Sequence, residues 1–457
     1  MGDGGVFVRV VIVGAGKLGY SIAELLSNEG YEVVMIDQDE TQLEAVKNTL
    51  DVLTIRANGA SPATMADVEV RGADLLIAVT AVDEVNMIAC ILAKKHKIRH
   101  TIARIRDIEF VAAEGGYLKK TFDIDLMLNP EYITAQEIYR ILMTTAALNV
   151  EDFASGKVRL FETKVRRDSK MANVPLKDMD MPASVLAGMI FRDHQMIIPH
   201  GDDILKPGDN AYFIGDPAEI EKFSARFVKR EARRLERLMI IGAGRTGRAL
   251  ATMFEPTDVK VKVIEKDSER CQRMADMLQN GMVISGDGTD IDLLMQEGIH
   301  ETDVVVCLTE DDKLNLMLAL LAKHLGARET VVRVGRSEYV DLMEKVGVDI
   351  VLSARLLSAS EVLAFARRGG VVSVSLLESA KAEAVEVIVQ EGTPVVGHPL
   401  KEVHLPRECL VCAYVRGEEA AIPNGDSVLL PGDRAILFIE TQFSQKVIQY
   451  FKGRDRA

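Results

Sequence analysis

Short aliphatic runs and helical patterns alternate along much of the chain. Runs at 8–13, 32–36, 52–55, 75–79 and 101–105 are almost wholly apolar. Between them, near 17–29, 40–48, 62–70 and 84–96, apolar residues recur at helical spacing. Strands that are apolar on every position, each followed by a helix, predict βαβ units in a parallel sheet covered on both faces. A further helix is predicted over 131–147, after Pro130. Beyond residue 150 the pattern shifts to short alternating strands such as Val158–Val165, punctuated by the turn sequence Lys206-Pro-Gly-Asp209 and closed by a helix near 217–228.

The whole series then recurs. VVIVGAGKLG at 10–19 returns as LMIIGAGRTG at 238–247. Asp37 and Glu265 end the following aliphatic run in each copy. Thr80, Asp83 and Asn86 face Thr309, Asp312 and Asn315, and Arg104 faces Arg333. The first copy has extra residues past about 115. The register then resumes with Glu137 against Glu361, Pro175-Leu-Lys177 against Pro399-Leu-Lys401, and Pro207-Gly-Asp209 against Pro431-Gly-Asp433. So many matches in order identify an internal duplication. The second copy carries its own helix over 354–367, a strand over Ala384–Val389 and a closing helix near 441–451. The expected architecture is α/β, with two Rossmann-type doubly wound parallel sheets, each followed by a small β-rich domain. The expected boundaries are 1–130 for the first nucleotide-binding domain and 131–230 for its connecting helix and small domain. The second pair is expected at 231–353 and 354–457.

Composition narrows the picture. The chain has 457 residues, 48% of them hydrophobic, which excludes disorder as its main character. With no Trp and 5% aromatics, the cores must be built from Val, Ile, Leu and Met. A formal charge of −14 argues against nucleic acid as the partner, because phosphate binding needs clustered cations. The basic stretch Lys229 to Arg237 reads as a solvated linker or helix between the halves. Five scattered cysteines do not make a disulfide framework and suit a reducing compartment. No signal-peptide pattern and no membrane-spanning apolar run are visible. Cys409-Leu-Val-Cys412 lies in a strand-like run and has no second pair to complete a zinc site. Asp311 and Asp312 open a helix and read first as caps, with cation binding the less favoured alternative.

Candidate chemistry centres on the glycines. Gly14-x-Gly16-x-x-Gly19 follows a strand and opens a helix, and Gly242, Gly244 and Gly247 repeat it. The first glycine permits a tight turn, the second lets backbone approach a pyrophosphate, and the third lets helix and strand pack closely. Lys17 and Leu18, and Arg245 and Thr246, begin helices whose free N–H groups favour phosphate. Asp37 and Glu265 can accept hydrogen bonds from both ribose hydroxyls of an adenosine and would repel a 2′-phosphate. That disfavours NADP but leaves NAD(H), ATP and ADP open. Asn58 and Asp287, in turns after the third strand, and Thr80 and Thr309, after the fourth, also border the crevice; polar-turn roles compete equally at the first two. Arg104 and Arg333, ending the fifth, suit either phosphate or a structural ion pair.

The duplicated GxGxxG, the acid at the second strand end, the N-G or G-D-G turn and the T-x-x-D-x-x-N run resemble the tandem RCK/KTN family. So do the arginine after the fifth strand and P-x-G-D-x-x-x-P-G-D, here Pro199 through Asp209 and Pro423 through Asp433. The resemblance is in particular to TrkA-type regulatory subunits of Trk potassium uptake systems, over nearly the whole chain. The resemblance implies a non-catalytic peripheral subunit at the cytoplasmic face of the membrane. It would bind NAD(H) or adenine nucleotides, assemble as a homo-oligomeric ring, and dock on a potassium-translocating integral membrane subunit without inserting itself. Asn58 standing where the second copy has Asp287 implies that the two sites differ. An NAD-dependent oxidoreductase is the competing reading, but no acid–base residue for one is evident. A nucleotide sensor for a different transporter is a third.

Overall fold

The computed structural model describes residues 9–107, 121–143, 149–165, 167, 169, 171–192, 195–224, 235–367, 371–378 and 381–452. Most of the basic stretch before Arg237 lies outside these residues. The chain forms two compact units, one of Met1–Ile133 with Ala354–Ala366, the other of Thr134–Ser353 with Arg367–Ala457.

The first unit holds a six-stranded parallel sheet in the order β3-β2-β1-β4-β5-β6. Its strands are β1 (Arg9–Val13), β2 (Glu32–Asp37), β3 (Leu53–Arg56), β4 (Leu75–Ala78), β5 (His100–Arg104) and β6 (Leu126–Leu128). Helices α1 (Lys17–Asn28), α2 (Glu40–Lys47), α3 (Pro62–Met65) and α4 (Asp83–Lys95) connect them. The central strands are buried on both faces, Val10 to Ile12 and Val34 to Ile36 completely, which is why they read as unbroken aliphatic runs. The sixth strand was not apparent from the pattern. It is three residues long and ends just before Asn129 and Pro130, where helix α5 (Pro130–Met143) begins. Helix α3 stops at Met65, short of the predicted 70. Asp67 instead accepts the Glu69 N–H at 2.9 Å in a local turn.

The second unit repeats the sheet as β14-β13-β12-β15-β16-β17. Here the strands are β12 (Arg237–Ile241), β13 (Lys260–Glu265), β14 (Met282–Ser285), β15 (Val304–Cys307), β16 (Glu329–Val334) and β17 (Ile350–Ser353). Its helices are α7 (Arg245–Phe254), α8 (Ser268–Met277), α9 (Ile291–Gln296), α10 (Asp312–His324) and α11 (Val340–Val346). They follow α6 (Pro217–Ser224) of the first small domain.

The connecting helices are exchanged. From Thr134 on, α5 packs with the second sheet: Ala135, Ile138 and Ile141 join Leu238, Ile240, Leu250 and Phe254 in one core, and Tyr139 lies 4.9 Å from Phe254. Helix α12 (Ala354–Ala366), the equivalent of α5, belongs to the first unit, where it packs on α1 and sets Phe365 edge-on to His100 at 6.0 Å. Each parallel sheet is thus packed against the other half's helix.

The second unit also holds both small domains. The first is an antiparallel sheet β10-β9-β11-β8-β7 and the second β18-β19-β22-β20-β21. The strands are β7 (Asn149–Phe153), β8 (Val158–Lys164), β9 (Val185–Arg192), β10 (Gln195–Ile197) and β11 (Asn210–Gly215). Their repeats are β18 (Val371–Leu377), β19 (Ala382–Ile388), β20 (Cys409–Arg416), β21 (Glu419–Ala421) and β22 (Arg434–Glu440), closed by α13 (Ser444–Ile448). The sheets pack together through a shared core of Phe153, Leu160, Met189, Tyr212, Ala384, Cys412, Ile436 and Phe438. Cys409 and Cys412 are both buried free thiols, and Cys412 sits at a bulge between Val411 and Ala413. The Pro-Gly-Asp turns are structural. Asp209 takes a two-pronged bond from Arg192 (2.8 and 2.7 Å), and Asp433 one from Arg416 (2.9 and 2.7 Å).

Candidate functional site

In each Rossmann domain the glycine loop joins the first strand to the first helix. The Gly14 N–H donates to Ile36 O (2.8 Å) and the Gly242 N–H to Ile264 O (2.9 Å), fixing the turn over the second strand. The three glycines do different work. Gly14 has φ +110°, and a Cβ there would stand 2.9 Å from Thr80 N. A Cβ on Gly19 would overlap the Gly14 carbonyl oxygen. A Cβ on Gly16 would meet nothing within 4 Å. The second copy is alike: Gly242 at φ +111° abuts Leu308 O, Gly247 abuts Gly242 O, and Gly244 faces open space. Gly14 and Gly19 are required by the fold, whereas at Gly16 the loop leaves open space in front of the helix N-terminus.

Gly16 and Gly244 are also the N-caps of α1 and α7, and no side chain caps either helix. The first N–H groups, at Lys17, Leu18 and Gly19 and at Arg245, Thr246 and Gly247, therefore stand ready for an anion.

The carboxylates at the ends of the second strands are tied to that loop. Asp37 accepts the Ala15 N–H (2.6 Å) and the Asp39 N–H (2.9 Å), one on each oxygen. Glu265 does the same with Ala243 (2.7 Å) and Asp267 (3.0 Å). Each oxygen keeps acceptor capacity for a ribose hydroxyl.

Asn58 and Asp287 serve their own turns. Asn58 Oδ1 accepts the Ala60 N–H (2.9 Å), and Asp287 Oδ1 accepts the N–H and hydroxyl of Thr289 (2.9 and 2.8 Å). The Thr289 N–H, with its hydroxyl, holds Asp287 below the usual carboxylate range. Gly59 and Gly288, which sequence reasoning passed over, bring these turns onto β1 and β12; added Cβ atoms would press on Val13 and Ile241.

Thr80 and Thr309 are held by residues that were seen in the repeat but given no role. Asn86, fully buried, accepts from Thr80 N (2.9 Å) and Thr80 Oγ1 (2.7 Å) and donates to Arg104 O (2.9 Å). Asn315 repeats this with Thr309 (2.9 and 2.6 Å) and Arg333 O (3.0 Å). The T-x-x-D-x-x-N run is a clasp joining the ends of the fourth and fifth strands. Asp312 extends it, accepting Gly335 N at 2.8 Å, as Asp83 accepts Arg106 N at 2.8 Å. Asp311 caps α10 through Lys313 and Leu314, which accounts for the acid pair. Among the described residues no cluster could hold a metal ion.

Arg104 forms an ion pair with Glu131 (3.3 Å), while Arg104 Nε and Glu131 Oε2 are buried without partners. Burial pulls the Arg104 pKa down, and Glu131 opposes that. Arg333 Nε is likewise buried without a partner.

Comparison with known proteins places these features. A TrkA-N domain model matches residues 10–130 and 238–354, and a TrkA-C domain model matches 160–228 and 384–452. The Trk system potassium uptake protein TrkA homolog 1 of Methanosarcina mazei is 37% identical over 455 residues, spanning 97% of this chain and 100% of that one. The Trk system potassium uptake protein TrkA of Halomonas elongata is 33% identical over 445 residues, spanning 94% and 96%. Among solved structures, the GsuK channel bound to NAD shares the fold at a TM-score of 0.61 and 18% identity, covering 99% of this chain and 80% of that chain. With both domain models matched twice and full-length relatives above 30% identity, the chain belongs to the TrkA family.

Proposed function

We propose that this chain is a nucleotide-binding regulatory subunit that gates a potassium uptake transporter. The relatives it matches along their whole length are named as Trk system potassium uptake proteins. Among the described residues no helix is long and apolar enough to cross a membrane, so ion passage is assigned to a separate integral membrane subunit. The chain would act at that subunit's cytoplasmic face, as a homo-oligomer with its nucleotide-binding domains in a ring. Residues 1–130 and 231–353 are assigned to nucleotide binding, and 131–230 and 354–457 to the connecting helices and small domains.

The observation that carries this reading is the pairing, in both halves, of an open glycine cradle with a loop-tied carboxylate. The cradle and helix N-terminus would hold the phosphates of NAD(H) or of ATP and ADP, and Asp37 and Glu265 the adenosine ribose. Asn58, Asp287, Thr80, Thr309, Arg104 and Arg333 would border the bound nucleotide. A nucleotide can bias a ring only through different affinities for its two shapes. The exchanged connecting helices give a route, because each ties a nucleotide-binding sheet to the other half of the chain.

The test is calorimetry of NADH, NAD and ATP with Asp37→Ala and Glu265→Ala, followed by potassium flux through a Trk-type membrane subunit in vesicles. Binding lost site by site, with nucleotide-dependent flux, supports the proposal. Flux that keeps its nucleotide dependence when Gly16 and Gly244 both carry bulky side chains refutes it. Steady NADH oxidation with a metabolite would restore the oxidoreductase reading.

A further inference from the structure

The two crevices differ at one charged position. In the first, Glu131 pairs with Arg104 at 3.3 Å, so a carboxylate neutralises the guanidinium at the end of β5. In the second, the register that sets Leu128 opposite Arg104 and Leu352 opposite Arg333 places Arg355 at the position of Glu131 in the sequence. The second copy therefore supplies no carboxylate there. Among the described residues Arg333 forms no ion pair, and its Nε is buried without a partner.

Sheet order says what this arginine can meet. The ribose-binding carboxylate ends β2 and the arginine ends β5, with β1 and β4 between them. That is three strand spacings, about 14 Å. A nucleotide whose ribose lies at the acid and whose phosphates cross the glycine loop must extend towards β4 and β5. A dinucleotide carries its second nucleoside in that direction. ATP or ADP carries its terminal phosphate.

We propose that the two crevices select different ligands: the first, with Arg104 neutralised by Glu131, takes NAD(H), and the second, with Arg333 unneutralised, takes a mononucleotide with a free terminal phosphate, ATP or ADP. A guanidinium without a carboxylate is a strong phosphate donor, whereas one already paired presents little net charge to a second anion. The other acidic differences do not cancel this: Glu310, which replaces Ala81, pairs with Arg270 at 3.6 Å. Asp287 and Asp311, which replace Asn58 and Val82, are engaged by the Thr289 turn and by the N-terminus of α10. The inference rests on the nucleotide-binding reading above.

Full-length G244V leaves only the first crevice open and G16V only the second. At both positions an added Cβ meets nothing within 4 Å. Calorimetry should find NADH at least tenfold tighter than ATP for G244V, and ATP or ADP at least tenfold tighter than NADH for G16V. E131Q in the G244V background should raise ATP affinity roughly tenfold, the worth of a charge-assisted hydrogen bond. R333Q in the G16V background should weaken ATP by a similar factor and leave AMP, which lacks the β- and γ-phosphates, unchanged. Equal NADH-to-ATP ratios at the two isolated sites, or AMP weakened by R333Q as much as ATP, would overturn the selectivity. No nucleotide binding by the unaltered chain, or unchanged stoichiometry in both glycine variants, would instead sink the nucleotide reading itself.

Discussion

The three glycines of one loop should separate fold from ligand when each is replaced by Ala. At Gly14 the backbone is at φ +110° and the new Cβ would lie 2.9 Å from Thr80 N, which is main chain and cannot swing away. Backbone held in such a region costs about 1–3 kcal/mol for a side-chain-bearing residue. At Gly19 the Cβ would overlap the Gly14 carbonyl oxygen, so α1 must move off β1; overpacking of this kind costs about 1–3 kcal/mol or more. At Gly16 φ is −68° and the Cβ meets nothing within 4 Å. Gly16→Ala should therefore change stability by no more than about 0.5 kcal/mol, and in the stabilising direction if unfolded-chain entropy dominates. Binding should rank the opposite way, because that methyl fills the cradle. An Ala there should weaken NADH by roughly tenfold to a hundredfold, about 1.4–2.8 kcal/mol. A chain of two units does not unfold in a single step, so the assay is hydrogen exchange of β1 and β4 peptides rather than one global melt. NADH calorimetry runs in parallel in the Gly244→Val background. Faster exchange in Gly16→Ala, as large as in Gly19→Ala, would refute the assignment of roles. So would wild-type NADH affinity in Gly16→Ala.

Asn86→Ala removes the partner of two half-buried Thr80 groups and of Arg104 O, and should cost the first unit about 2–4 kcal/mol by exchange, with Asn315→Ala doing the same in the second. Arg367 and Glu383 form a buried pair at 2.7 Å, their side chains 2% and 0% exposed, so Glu383→Ala should cost the second small domain about 3–5 kcal/mol. Replacing both with Met and Leu should recover most of that in urea unfolding. Burial pushes Glu151 up from 4.5 to about 7, against Ser375 and Arg140, and also raises Glu378 against its bonds from Tyr212 and Asn210. A group with a raised folded value binds protons more tightly when folded, so the Glu151 contribution is complete below pH 4.5 and is lost as pH rises through about 7, with Glu378 acting in the same direction. Thermal scans of Glu151→Gln should show that slope flattened; an unchanged slope would remove Glu151 as its source.

Much of this fold was legible because parallel strands buried on both faces have little choice but to be aliphatic, and because the pattern occurs twice. The crevice was legible through glycines whose reasons are steric and local. What escaped was non-local. Strand β6 has three residues and too little pattern to register. The amphipathic helices α5 and α12 announce an apolar face but not which sheet it covers, so their exchange between halves could not be read. The bond from Asn86 to Arg104 O spans 18 residues and that between Arg104 and Glu131 spans 27, joining segments that only the closed sheet brings together. The repeated Thr–Asn spacing was nonetheless the available signal for the first.

Comparing the halves sorts the residues by what holds them in place. Where a group satisfies buried backbone or fills a gap no side chain can enter, both copies keep it: the outer glycines of each loop, Asn86 and Asn315, Asp83 and Asp312, Asp209 and Asp433 with their arginines. Most crevice residues are also kept, Gly16 and Gly244, Thr80 and Thr309, and Arg104 and Arg333 among them, but beside the fifth strand and at the contact between the small domains the copies diverge. Glu131 becomes Arg355 in the sequence. Between the small domains, Glu386 takes the Ala154 N–H and a bond from Arg434, while at the equivalent junction Glu378 takes bonds from Tyr212 and Asn210. If the two crevices take different nucleotides as proposed, a chain with a symmetric scaffold but an asymmetric charge beside the fifth strand would answer them with two different shifts. That behaviour requires the asymmetry to lie in the side chains at the crevices, since the sheets that carry them have the same strand order.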